Sequence, residues 1–332
     1  MKILLISPCH RNFGGWYRTH NIAEALARRG HKIGFAYSPK YYGSVWGKIL
    51  TGLKNVYYVH TGKYDLVYCF ETVHPETLFP LLYAKLTFRQ TLVDVGDEWL
   101  DSPTYKNSGW GLRGLIRFLD SLPRFFDLTV TSDYLKNKYG KGLKLINGVN
   151  TREFSLVSKS CARAVLGYEE NDKVVLSFGN TYGGNRQKLL SETIKQLPGD
   201  IKVISGVYLN SRQLPFYTSA CDLLLFPTDS CISEKACFPI RIGTYLNSER
   251  VIATIFNDTQ FKRTLNPFDC MVTGKDPKDL ADNIVKFFKN KRRRKELESN
   301  TLKAKQTLDW DNIIRRLGER IIQVYVKPHT RR

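Results

Sequence analysis

Short apolar runs alternate along this chain with longer stretches whose apolar positions recur every three or four residues. The first run, KILLIS (2–7), has no polar residue between Lys2 and Ser7. That suits a strand buried on both faces, as in a parallel sheet covered by helices. In NIAEALARR (21–29), Ile22, Leu26 and the alanines share one helical face, and Gly30 stops the helix. HKIGFAYS then reads as the next strand. The pattern is β-loop-α-β, the repeating unit of a doubly wound sheet.

The alternation continues. YDLVYCF, QTLVDVG and FDLTVTS read as strands. HPETLFPLLYAKL, GLRGLIRFLDSL and SDYLKNKYG read as the helices between them, and LKLINGVN closes the first series. DKVVLSFGN opens a second: strands IKVISG, DLLLFPT, RVIAT and CMVTG, and helices LLSETIKQL, LPFYTSA, IRIGTYLNS and DLADNIVKFFKN. A last helix surrounds DWDNIIRRLGERIIQVYV. No short-period repeat, low-complexity tract or Pro/Ser-rich linker interrupts the series. The pattern predicts an α/β chain with two doubly wound domains, changing over near NGVNTREF. Ligands are expected where the carboxyl ends of the strands line a cleft between the domains.

The length of 332 residues accommodates two such domains. No apolar run reaches the roughly 18 residues needed to span a bilayer. MKILLISP has one lysine, a short apolar run and a proline, but no small-residue cleavage site, so it reads as a strand and not as a signal peptide. The 7 cysteines are scattered without a C-x-x-C pair, which argues against a disulfide framework or structural zinc. A cytoplasmic location is expected, or a peripheral one on the cytoplasmic face of a membrane. The net charge of +20 favours polyanionic or phosphorylated partners without choosing among them.

Several segments in order resemble retaining glycosyltransferases of family 4. GGWYRTHNIAEALARRGHKI resembles the family's opening glycine loop and first helix. SDYLKNKYGKGLKLINGVNTREF resembles its hinge, and LPFYTSACDLLLFPT a strand of its second domain. FPIRIGTYLNSERVIAT is similar to its donor segment, and DWDNIIRRLGERIIQVY to its Trp-bearing final helix. The resemblance covers roughly residues 1–326. It implies the GT-B fold, two facing Rossmann-like domains with a cleft between them: residues 1–150 on the acceptor side, 151–307 on the nucleotide-sugar side, and 308–332 packing back on the first domain. It also implies transfer from a UDP- or GDP-sugar with retention, without metal or other cofactor, the departing phosphate taking the acceptor's proton. The acceptor is expected to be a glycan or a lipid-linked molecule.

The resemblance implies a leaving diphosphate held by cations in the loop GNTYGGNRQK, which points to Arg186 and Lys188. An ordinary exposed helix start is the alternative. Gly14 and Gly15 between the first strand and helix allow backbone N–H groups to approach an anion, or form an ordinary turn. Gly179 and Asn180 lie in the loop after the strand DKVVLSFGN, and Gly206 ends IKVISG; all three are candidate donor contacts. Pro239, Arg241 and Thr244 fit the donor segment. The family's two glutamates there are missing: Ala236 and Thr244 hold their positions, and Glu234 falls two residues early. A hydroxyl bonds a ribose more weakly than a carboxylate does. This departure favours, as a rival reading, an inactive protein that binds sugar nucleotides or glycans.

In VDVGDEW, Asp94, Asp97 and Glu98 cluster at a strand end. Asp97 is the candidate catalytic acid and Asp94 an acceptor contact, with helix capping as the alternative for Asp97. His10 and His74 also fall at strand ends, as acceptor contacts or as structural histidines. In KYYGSVWGKILTGLKNV, Tyr42, Val45, Trp46, Ile49, Leu50 and Leu53 form a helical stripe, with Lys48 and Lys54 off it. A basic amphipathic helix with tryptophan fits docking on an anionic membrane, and packing against its own domain is the other reading. GLRGLIRFLDSLPRFF is similar but expected in the core. KNKRRRKELESN reads as a solvated face. No nucleic-acid motif accompanies the charge, so no nucleic-acid partner is expected. DWD (309–311) is the chain's only Asp-x-Asp, and it falls in the final helix, so no metal site is expected.

Overall fold

The computed structural model describes all residues except 10–13, 38–43, 103–104, 106, 154, 180–183, 208, 211, 256–257 and 322–332. It divides into two compact units. The first holds Met1–Gly148, Lys235–Ile240 and the segment from Trp310 on; the second holds Val149–Glu234 and Arg241–Asp309.

The first unit contains strands β1 (Lys2–Ser7), β2 (Lys32–Tyr37), β3 (Leu66–Phe70), β4 (Gln90–Val95), β5 (Asp127–Val130) and β6 (Leu143–Lys144). Between them run helices α1 (Gly14–Arg28), α2 (Val45–Thr61), α3 (Pro75–Leu86), α4 (Trp110–Ser121) and α5 (Asp133–Tyr139). All strands pair in parallel, in the order β2-β1-β3-β4-β5-β6. The central strands β1 and β3 are almost wholly apolar because both their faces are covered. On one side Ile3 and Leu5 pack with Ile22 and Leu26 of α1 and with Trp310, Ile314 and Leu317 of the terminal helix. On the other, Leu4, Ile6 and Val67 pack with Val59 of α2, Leu81 and Ala84 of α3, and Leu135 of α5. Local chemistry sets the helix ends. Ser44 Oγ accepts from Gly47 N at 3.0 Å, Ser132 Oγ from Leu135 N at 3.1 Å, and Pro75 starts α3.

The second unit contains α6 (Lys159–Leu166), β7 (Lys173–Phe178), α7 (Gly184–Gln196), β8 (Ile201–Val207), α8 (Leu214–Ala220), β9 (Leu223–Leu225), α9 (Ile232–Ala236, whose last turn falls in the first unit), α10 (Ile240–Asn247) and β10 (Val251–Ile255). It continues with α11 (Gln260–Leu265), β11 (Met271–Gly274), α12 (Pro277–Lys289) and α13 (Lys291–Thr307); α14 (Trp310–Ile321) returns to the first unit. Its sheet is also parallel, in the order β11-β10-β9-β7-β8. Val175, Leu223, Leu225, Val251 and Ala253 form its core with Leu280, Ile284 and Phe287 of α12 and Leu297 of α13.

Each sheet has one point where successive strands depart to opposite sides. In the first unit it lies between β1 and β3, in the second between β7 and β9. Ligands of doubly wound sheets sit at the carboxyl ends of the strands at such a point.

One expectation changes. The expectation of a core position for α4 is corrected: only Ile116 and Asp120 are buried, while Trp110, Leu112, Leu115 and Phe118 face solvent. Arginines of the basic run at the start of α13 are engaged within the second unit. Arg293 is bidentate to Asp269 at 2.7 Å and Arg294 pairs with the buried Asp222 at 2.7 Å.

Candidate functional site

In the second unit, β7 ends at Phe178 and Gly179 follows in the left-handed region, at φ +80. The backbone angle there calls for glycine, and a Cβ would stand 2.8 Å from the Arg241 guanidinium and push it aside. Arg241 lies on α10, in the first turn. Its guanidinium carbon is 5.7 Å from the centre of the Phe226 ring, just past β9, and that of Arg186 is 4.7 Å from the same ring. Arg186 sits in the first turn of α7, where an unaccompanied cation is unfavourable. Two arginines thus converge at the switch point of this sheet.

The Arg186 guanidinium donates through Nη2 to Glu234 Oε1, while its buried Nε–H has no acceptor among the described residues. Burial raises the Glu234 carboxyl above the ordinary range although Arg186 opposes this. Burial lowers Arg241, and Arg186 adds to the lowering. Lys188 lies elsewhere. Residues two apart on a helix do not share a face, and the Lys188 side chain is 69% exposed and pairs with Glu192 at 3.9 Å. The structure therefore joins Arg186 to Arg241, not to Lys188.

Thr244, one turn along α10 from Arg241, is half-buried, and the Glu153 carboxyl is drawn to its hydroxyl. Ala236 is fully buried in the first unit's core with Val93, Val95 and Val130. Pro239 lies in the same inserted segment. Gly206 has φ +71 beside a register shift between β7 and β8, with open space around it, so its backbone angle accounts for it. Asn180 lies outside the described residues.

In the first unit, Gly15 lies in the first turn of α1, close to Cys9 two residues past β1: a Cβ there would meet Cys9 Sγ at 2.5 Å. Gly14 is exposed beside it, and His10 lies outside the described residues. Asp97 follows β4 and is exposed. Surrounding protein nevertheless raises its pKa, against a hydrogen bond with Cys237 and the field of Arg18. Asp94 points into the sheet and is 1% exposed. It accepts from Arg18 Nε at 2.6 Å and Nη2 at 2.8 Å, and from the Thr129 hydroxyl at 2.5 Å. Arg18 donates onward to Asn147 Oδ1 at 2.9 Å and the Leu145 carbonyl at 2.7 Å. Asp94 is thereby a positioning carboxylate under the loops. Glu98 is buried and takes Lys138 Nζ at 2.6 Å. His74 is buried, its ring edge-on to Trp99 at 5.0 Å between centroids; burial, reinforced by Lys48, lowers its pKa to about 4, so it is neutral near pH 7.

Sequence reasoning missed Glu71. It directly follows β3, at φ +64, a conformation costing a non-glycine residue on the order of 1–3 kcal/mol. Its carboxyl accepts from Gly96 N at 2.6 Å and Trp99 Nε1 at 2.8 Å. Burial, then Asp97, raise its pKa well above the carboxylate range. Nothing in the local sequence marks it except its place after an apolar run.

Among the described residues no group of three or more His, Cys, Asp or Glu side chains is placed to hold a metal ion, and no helix is long and apolar enough to cross a membrane.

No protein-family model matches the chain, and no curated protein matches it in sequence. Solved structures match nearly end to end. A glycosyltransferase from Rickettsia africae ESF-5 has a TM-score of 0.72 at 12% identity, covering 98% of this chain and 99% of that one. Sucrose-phosphate synthase from Thermosynechococcus elongatus has 0.69 at 14%, with the same coverage. WaaG, a glycosyltransferase involved in lipopolysaccharide biosynthesis, has 0.67 at 13%, covering 96% and 99%. The chain has the GT-B fold of these glycosyltransferases: α/β, with two Rossmann-like parallel sheets.

Proposed function

We propose that this protein is a glycosyltransferase that moves a sugar from a UDP- or GDP-sugar to a glycan or lipid-linked acceptor, with retention and without metal. The observation that carries the reading is the convergence of Arg186 and Arg241 on Phe226 at the switch point of the second sheet, with one buried guanidinium N–H lacking an acceptor among the described residues. Half-buried arginines in that position suit a diphosphate. In the proposed step the bond from the anomeric carbon to the diphosphate oxygen breaks. The acceptor oxygen bonds to the same face of that carbon, and the acceptor proton passes to the departing phosphate. Arg186 and Arg241 stabilise the charge that develops on the leaving group. Asp97 is assigned to the acceptor side, with Gly14 and Gly15 at the start of α1.

The test is incubation with a panel of nucleotide sugars, following nucleoside diphosphate release with and without a chelator. Release from one donor class, unchanged by chelation, is expected. Release abolished by chelation and restored by manganese counts against the metal-free step. One observation favours a second reading, an inactive sugar-nucleotide or glycan-binding protein: Ala236 is buried in a core and Thr244 carries no charge where the resembled family has glutamates. Donor binding without release on any acceptor would support that reading.

The acceptor is assigned to an anionic membrane surface, with the protein peripheral on the cytoplasmic side. Gly52, Asn55 and Val59 of α2 are buried, Gly52 lying against Pro75 and Phe79 of α3. This leaves Val45, Trp46, Leu50, Leu53 and Tyr57 exposed, Trp46 at 75%, while Ile49 and Lys48 are half-buried. On α4 Trp110 is 93% exposed, with Leu115 and Phe118 also outward and Arg117 among them. WaaG's part in lipopolysaccharide biosynthesis is consistent with a lipid-linked acceptor. Basic residues near an anionic bilayer contribute about 1 kcal/mol each, and a half-buried apolar face supplies the rest. The chain is expected to sediment with anionic but not neutral liposomes, and Trp46→Glu with Leu50→Glu to abolish this. Anionic binding that survives the double substitution removes α2 as the docking element.

A further inference from the structure

Arg186 and Glu234 form an ion pair largely shielded from water, their side chains 14% and 11% exposed. The pair is lopsided. Glu234 takes one Nη of the guanidinium, while the buried Nε–H has no acceptor among the described residues. Two positive side chains, Arg186 from α7 and Arg241 from α10, face Glu234, and Asp229, past β9, adds a like charge. A buried guanidinium with an unmet donor gains more from an anion with several oxygens than from a single carboxylate oxygen. A carboxylate that is desolvated beside another acid is correspondingly easy to displace.

We propose that Glu234 is a resident counter-anion: it occupies Arg186 when the site is empty, and the diphosphate of the ligand displaces it. Glu234 then sets the affinity of the site by competing within the chain for the guanidinium that the ligand needs. This rests on the reading that Arg186 and Arg241 bind a nucleoside diphosphate. Affinity falls by the fraction of time the competing contact is open. A pair closed about nine-tenths of the time weakens binding about tenfold.

The experiment is calorimetric titration of wild type and Glu234→Gln with UDP and GDP. Glu234→Gln is expected to bind whichever diphosphate the wild type binds roughly tenfold more tightly. The corresponding nucleoside, which lacks phosphates, is expected to bind both chains alike. Unchanged or weaker diphosphate binding by Glu234→Gln overturns the proposal, and weaker binding makes Glu234 a direct ligand contact. So does a gain that the nucleoside shares. Failure of the wild type to bind either diphosphate overturns instead the reading beneath it. Should Glu234→Gln not fold, Glu234→Asp keeps the charge but shortens the reach to Arg186, and is also expected to tighten diphosphate binding; no change there counts against displacement.

Discussion

Arg186→Ala is expected to lower kcat/KM for the nucleotide sugar by roughly thirty- to a thousandfold, the equivalent of about 2–4 kcal/mol of transition-state stabilisation. The cause is the removal of a guanidinium held against Phe226 at the switch point of the second sheet, where the proposed transfer builds charge on the departing diphosphate. Arg241→Ala, on the same ring, is expected to fall in the same range. Lys188→Ala is expected to stay within about threefold, since an exposed charge is screened and contributes little. Arg186→Ala also leaves Glu234 buried without its partner, so thermal unfolding must accompany the kinetics. A loss in kcat/KM much larger than the loss in folded protein locates the effect in catalysis. Arg186→Ala and Arg241→Ala chains that turn over at the wild-type rate would remove the diphosphate site.

The β-α alternation was legible because strands covered on both faces must be apolar without interruption, as in Ile3–Ile6 and Val174–Leu176. The direction in which an amphipathic helix turns was not. The apolar positions of α2 and α4 have the same spacing whether they face the sheet or solvent. The small residue Gly52 of α2, packed against α3, and the pairing of Asp120 of α4 with Lys138 at 2.5 Å, decide which side is buried. Partners distant in sequence were also hidden. Arg186 appeared beside Lys188 in the chain, but helical geometry turns them apart and brings Arg241 alongside. The placing of Lys235–Ile240 in the first unit had no periodic signal. It rests on Ala236 in that unit's core, on Thr131 donating to the Ala236 carbonyl at 3.3 Å, and on Asn147 donating to the Phe238 carbonyl.

Substituting either member of the Arg18–Asp94 pair is expected to destabilise the first unit by about 3–5 kcal/mol, because the remaining charge is buried without compensation. Both side chains are nearly sealed from water, at 6% and 2% exposure. Arg18 ties α1 to β4 through Asp94, and to the segment after β6 through Asn147 and the Leu145 carbonyl. Its loss therefore frees several acceptors at once. Arg18→Met with Asp94→Leu is expected to be more stable than either single variant, since no orphan charge remains. Urea unfolding followed at the transition of the first unit measures this, and the two units need not unfold together. The same series separates two roles for Asp94. A carboxylate that contacts the acceptor would lose turnover at nearly unchanged stability. A carboxylate that positions the loops loses stability first, and single variants within about 1 kcal/mol of wild type would rule out the positioning role.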